Sequence, residues 1–423
     1  MSIVVERVAA ALSGALGLGA AFLKASGDPR ARLRAVLLSP AGQRDALSVL
    51  RLARPHLAIG RNLVAAYPAD RSLLVSRAAD VAEVLAREGD FEVVYAERMR
   101  KLTGGRDFFL GLPVGPAYRR DTAAMAAIVK PSDLNSVLAL ARTEARAAVA
   151  AGTTIDLPPM LSARIPALMV QRYFGVAMPT EQLIADATIL FFYLFSDLTA
   201  DPRVEAGAMA AKDRVNAAID ASKATAGPDT LLGRAVAAGA AGEPAFDSDG
   251  LRANLIGILI GAVPTLSKAA CLALDELLRR PADLAKAHAA ARAGDEDGVA
   301  GYLWEALRFQ PLNPVIYRRT PRATRLGGTD IPAGTMVLAS NLSAMFDPER
   351  VANPRRFVAP RPWENYILWG EGLHRCWGDR INRAILPAML TPLLAKPGLR
   401  ALAPPDGGGT PFPKSYRLAW DAA

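Results

Sequence analysis

A mainly helical single domain with small β-sheets is what this sequence predicts, on three observations. Residues 160–240 carry helical periodicity almost without interruption, and an apolar run over 247–280 reads as one long helix. Strand candidates are short: Leu73-Leu74-Val75, and a strand–turn series from Leu326 to Ser340 punctuated by Gly327-Gly328, Pro332 and Gly334. No repeat, low-complexity block or linker divides the 423 residues, so the domain is expected to span 1–423.

Composition narrows the function classes. Hydrophobic residues make up 51% of the chain, enough for a sizeable core and too many for disorder. The only cysteines, Cys271 and Cys376, lie far apart, which argues against a disulfide scaffold and a cysteine-rich zinc site. His56, His288 and His374 have no metal-cluster spacing, and a reducing, cytoplasmic compartment is the simplest fit. The formal charge is +9, but Lys and Arg are dispersed and no nucleic-acid motif accompanies them. The excess is read as solvated surface, part of it available to dock an acidic electron carrier. Residues 1–28 form an N-terminal helical extension. Its apolar stretch, Val8 to Leu23, is short for a bilayer and lacks a basic leader, so a packed or amphipathic helix with at most a peripheral membrane contact is expected, with no transmembrane span.

In chain order, a helix is expected from Ala79 to Glu88, and Phe108 to Leu112 with Gly115-Pro116 reads as a loop. The following helix carries Tyr118-Arg119-Arg120-Asp121-Thr122. Gly175 closes a helix after Tyr173-Phe174, and Ile189 to Phe195 is the most aromatic run, either core or the wall of an apolar pocket. A Gly-rich loop is expected from Ala237 to Glu243. Asp247-Ser-Asp-Gly offers caps for the long helix, which Arg279-Arg280-Pro281 ends. At roughly thirty residues it is about 45 Å long. Pro264 in its middle removes a backbone donor and crowds the Ile260 carbonyl, at about 3 kcal/mol, so it marks a site or a tolerated kink. Cys271, further along, reads as core. Glu305 and Arg308 are three apart on one helix face and can pair.

Trp369 to Gly378 then wraps Cys376 in a loop with Gly370, Gly372 and Gly378, leading into a helix from Asp379 to Leu394. A thiol ahead of a helix N-terminus is favoured as thiolate, a soft ligand suited to haem iron. The alternative for Cys376 is a structural cysteine in a Gly-rich turn.

The pattern W-x-x-G-x-H-x-C-x-G over Trp369–Gly378 resembles the haem-binding signature of the cytochrome P450 family, bacterial soluble type, with Trp369 where Phe is usual. Three further elements stand in family order: Gly261-Ala262-Val263-Pro264-Thr265, Glu305 with Arg308, and Pro354-Arg355-Arg356-Phe357. The resemblance implies the P450 fold, haem b as cofactor, and Cys376 as the axial ligand. By the same resemblance Gly261, Ala262 and the catalytic Thr265 lie on the distal helix over 247–280. Trp369, Gly372 and Gly378 belong to the haem-thiolate loop and following helix over 369–394, Arg318 and His374 bind propionates, and Arg356 completes a structural Glu–Arg–Arg network. His374 as an ordinary loop histidine is the alternative.

Two departures bear on the chemistry. The family's distal helix carries an acid before the threonine, and here Pro264 stands in its place. The family's H-x-x-x-R propionate contacts are replaced by Tyr118 and Thr122, leaving Arg119 or Arg120 as substitutes or as solvated surface. The leading function is hydroxylation or epoxidation of a hydrophobic small molecule, with dioxygen and electrons from a ferredoxin- or flavodoxin-type donor. The alternative is a peroxygenase or a hydroperoxide isomerase or dehydratase that needs no reductase. A haem sensor without catalysis is the third reading.

Overall fold

Short strands, one of them (Thr335–Ala339) buried at every position, and long helical stretches between them organise a computed structural model that describes residues 3–422. The chain forms two compact units, Met1–Val93 with Trp304–Arg375, and Val94–Leu303 with Cys376–Ala423.

The first unit holds a four-stranded sheet in the order His56–Ile59, Arg71–Val75, Thr335–Ala339, Ile316–Arg319. The expected strand at Leu73–Val75 is its second member. Arg71–Val75 runs parallel to Thr335–Ala339, with Leu73 opposite Val337, and both other pairings are antiparallel. Thr324–Leu326 and Thr329–Ile331 form a hairpin whose turn is Gly327-Gly328, both at positive φ, a conformation that favours glycine. Leu73, Val75, Val81, Leu85, Val337 and Phe346 meet in the core of this unit.

The N-terminal helix is longer than its apolar stretch, running over Ile3–Lys24. Its 22 residues are long and apolar enough to cross a membrane, as are those of the central helix Ser248–Leu278. It is nonetheless seated on the helix Pro40–Ala53: a Cβ at Gly14 would lie 2.7 Å from the Asp45 carbonyl oxygen, and one at Gly17 2.2 Å from its carboxylate. Arg7 donates to both carboxylate oxygens of Asp347, at 3.1 Å each, and pairs with Glu349. Of its residues, Ala11 and Gly14 are buried.

The second unit is mostly helical, with a small sheet of Thr154–Asp156, Arg417–Ala419 and Arg400–Ala401. Its central helix, Ser248–Leu278, is one unbroken element of 31 residues, capped by the Asp247 carboxylate accepting from the Gly250 N–H at 2.8 Å. Pro264 is accommodated without ending it. Gly175 ends its helical stretch in the left-handed conformation, as expected. The Gly-rich loop is shorter than expected, because the helix Leu231–Ala240 continues into it. Gly239 is part of that helix, and the Phe246 carbonyl oxygen sits 2.3 Å from where its Cβ would be.

Candidate functional site

The cysteine loop is shaped by two glycines in the left-handed conformation. Gly370 and Gly372 have φ of 72° and 73°, and a Cβ on Gly372 would lie 2.1 Å from the Leu85 carbonyl oxygen. Gly372→Ala is therefore expected to lose about 1–3 kcal/mol from backbone strain alone, and more from the clash, read as a lower midpoint in urea unfolding. Beyond the loop, Gly378 caps the helix Asp379–Leu394, whose boundaries match the expectation, and its carbonyl accepts from the Asn382 N–H at 2.8 Å. The Cys376 thiol is exposed, and its carbonyl accepts from the Asp379 N–H at 3.3 Å.

Within the same unit, two adjacent phenylalanines link the residue after the cysteine to the central helix. Phe109 is fully buried and meets Trp377 edge-on at 5.2 Å, and Phe108 packs on Phe109 at 4.7 Å. The Phe108 ring also fills the space above Gly257, coming within 2.3 Å of where a Cβ would stand. Through these two rings the loop Phe108–Leu112 packs on Trp377 and the central helix.

One turn along the central helix, Ile260, Val263 and Pro264 are buried, whereas Gly261, Ala262 and Thr265 are half-exposed. A Cβ at Gly261 would meet nothing within 4 Å, so this face opens on free space. The Thr265 hydroxyl donates to the Gly261 carbonyl, one turn back. Its oxygen therefore presents lone pairs outward while its proton is engaged in the helix. Pro264 has no N–H to give the Ile260 carbonyl, leaving an acceptor beside the threonine.

Lys268, one turn further, is buried, with its ammonium 5.1 Å above the Phe412 ring, and burial pulls its pKa down to about 8. Phe412 meets Phe191 at 5.5 Å and Phe192 at 6.5 Å, both edge-on. Most of the aromatic run is core: Leu190, Phe191, Tyr193 and Leu194 are buried, with Arg98 stacked 4.4 Å from the Tyr193 ring, and Phe191 and Phe192 gather around Phe412, itself buried. Cys271 is core, as expected. It lies 3.9 Å from the Ser162 hydroxyl, and burial pushes its thiol up to about 12.

The remaining expected residues belong to the first unit. Arg318 is buried on the strand Ile316–Arg319 and donates through Nη1 to the Tyr317 carbonyl at 3.0 Å. His374 Nε2 lies 2.8 Å from a Glu88 carboxylate oxygen, a partner sequence reasoning did not identify. Trp369 packs against Trp304 and Trp363, each at 5.3 Å between ring centroids.

The Glu–Arg–Arg network is present with a different third member. Glu305 and Arg308 form a fully buried bidentate pair at 2.8 Å, and the second guanidinium is Arg361, at 3.0 Å. Arg356, expected in that role, is exposed and contributes only its carbonyl oxygen, accepting from Arg308 and Arg361. The chain turns at Asn353, which has a φ of 49°, and directs the Ala352, Asn353 and Arg356 carbonyls onto the Arg361 side chain. Of the proposed substitutes for H-x-x-x-R, Arg120 pairs with Asp121 at 2.7 Å and Arg119 is exposed.

Among the described residues no group of three or more His, Cys, Asp and Glu side chains converges to hold a metal. The donor set is one accessible thiol at a helix N-terminus, in the same unit as a buried helix with an open, small-residue face. It fits a haem held by a single thiolate.

The comparisons with known proteins agree. The Cytochrome P450 family model matches residues 299–396. The chain is 28% identical over 286 residues to a cyclomarin C epoxidase from Salinispora arenicola, covering 64% of this chain and 70% of that one. It is 25% identical over 289 residues to an erythromycin C-12 hydroxylase from Saccharopolyspora erythraea, covering 67% and 71%. The crystal structure of CYP108D1 from Novosphingobium aromaticivorans superposes with a TM-score of 0.71 at 21% identity, over 92% of this chain and 98% of that one. The signature around Cys376 lies inside the matched segment, and the fold agrees over nine-tenths of the length: the chain has the cytochrome P450 fold and carries that family's cysteine signature.

Proposed function

We propose that this enzyme hydroxylates or epoxidises a hydrophobic small molecule in the cytoplasm, using dioxygen and electrons from a separate ferredoxin- or flavodoxin-type donor. The observation that carries the reading is the exposed Cys376 thiol in the same packed unit as the open Gly261–Thr265 face. Haem b, when bound, supplies the oxidising chemistry. Cys376 would hold it as a thiolate, a form favoured by the positive end of the helix Asp379–Leu394. Arg318 and His374 serve the propionates, with Glu88 fixing the imidazole of His374. Trp369, Gly372 and Gly378 would shape the loop around the thiolate, while the small residues Gly261 and Ala262 would leave room beside the central helix for a flat ligand. Phe191, Phe192 and Phe412 offer an apolar wall for the substrate and exclude water.

Thr265 is the proposed catalytic side chain. Its proton goes to the Gly261 carbonyl, so its oxygen accepts a hydrogen bond from whatever occupies the open face. The Ile260 carbonyl, left without a helical donor by Pro264, can hold a water that delivers a proton there. This takes over the role of the missing acid.

The same two features favour a second reading, a peroxygenase or a hydroperoxide isomerase or dehydratase. A hydroxyl that accepts and a helix without an acid suit a ligand that brings its own O–H and needs no proton relay. Thr265→Ala separates the two. If the reductase route operates, product formed per electron is expected to fall by roughly a hundredfold, while turnover with added hydroperoxide stays within about twofold. Unchanged coupling with a reductase and strong loss with hydroperoxide would overturn the leading assignment.

A further inference from the structure

The N-terminal helix Ile3–Lys24 is turned inside out for a surface helix: its protein-facing side is small and polar, and its outward side is apolar. Ala11 and Gly14 are buried against the fold, Gly17 sits over Asp45, and Arg7 is tied to Asp347 and Glu349. On the opposite side Val4, Val5, Val8, Leu12, Leu16 and Leu23 are all exposed, Leu12 by 63%, Leu16 by 76% and Leu23 by 79%. At 100° per residue these six fall within an arc of about 120°, a continuous stripe along nearly the whole helix. No charged side chain lies within that arc; Glu6 and Arg7 point away from it.

The next helix, Pro29–Leu38, also carries exposed apolar side chains. Leu33, Leu37 and Leu38 are exposed, and Arg30 and Arg34 stand exposed beside them, with Lys24 at the end of the preceding helix. An uncharged stripe of this length, rimmed at one end by cations, is the pattern of a helix lying in the plane of a membrane interface. The seat on Asp45 and the Arg7 bridge hold the helix against the fold, which sets it flat rather than across a bilayer.

We propose that this face docks the enzyme peripherally onto an anionic phospholipid bilayer, with the Val4–Leu23 stripe in the headgroup boundary and Lys24, Arg30 and Arg34 on the lipid phosphates. The inference is independent of which oxidant the haem site uses.

The test is flotation of the full-length, haem-loaded protein with vesicles of phosphatidylcholine and phosphatidylglycerol, and with phosphatidylcholine alone. The wild type is expected to float with the anionic vesicles, less with the neutral ones, and to be stripped by carbonate. The double variant Leu12→Glu with Leu16→Glu is expected to lose bound protein by at least about tenfold while its haem spectrum and melting curve stay unchanged, since both side chains are exposed. Failure of the wild type to float, or equal flotation of the variant, overturns the proposal. Carbonate-resistant binding overturns it in favour of a spanning helix. A lipid-free dimer that the variant dissolves, without flotation, overturns it in favour of an interface between two copies.

Discussion

Arg361→Ala is expected to destabilise the protein by about 3–5 kcal/mol, and Arg356→Ala by no more than about 0.5 kcal/mol. Glu305 and Arg308 are completely buried, and the Arg361 side chain is 5% exposed. Removing Arg361 takes one of two guanidiniums from a buried carboxylate and its donors from the Ala352, Asn353 and Arg356 carbonyls, of which Asn353 keeps the Arg356 N–H and Arg356 keeps Arg308. Arg308 cannot take up the deficit, because burial already lowers its pKa and both its carboxylate contacts are in use. Arg356 acts through its backbone, which alanine retains. Urea unfolding of the two variants side by side measures the difference, and equal destabilisation would return Arg356 to the network.

Replacing Cys376 by alanine is expected to reduce substrate oxidation to background while far-UV dichroism stays unchanged. The thiol is exposed and fills no core space, so its loss removes a ligand and little packing. An alanine variant that keeps wild-type turnover would show that the iron is held elsewhere.

The parts of the fold that were legible in the sequence are those written in local punctuation. Gly378 and the apolar spacing after it fix Asp379–Leu394, and Asp247 with Arg279-Arg280-Pro281 brackets the central helix. The Gly327-Gly328 hairpin turn was readable for the same reason. What sequence left open depends on tertiary geometry. Which of Arg356 and Arg361 reaches Glu305 is decided by the turn at Asn353. Glu88 and His374 are brought together by the path of the cysteine loop past Leu85, where Gly372 lets the backbones touch. The direction of the Thr265 hydroxyl is a rotamer choice that no pattern encodes.

The N-terminal helix shows a different limit. A stripe of Val and Leu at helical spacing reads as a core-facing side, and only the structure shows that Gly14 and Gly17 face the fold while the leucines face out. The chemistry of the outward surface is thus the reverse of what amphipathic periodicity alone implies.

The central claim, a haem held by the Cys376 thiolate, is tested most directly by the optical spectrum of the reduced, carbon monoxide-saturated wild-type protein. The account predicts the red-shifted Soret band that thiolate ligation produces, absent in Cys376→Ala. A band at the position typical of histidine ligation, or no haem band after reconstitution, would contradict it.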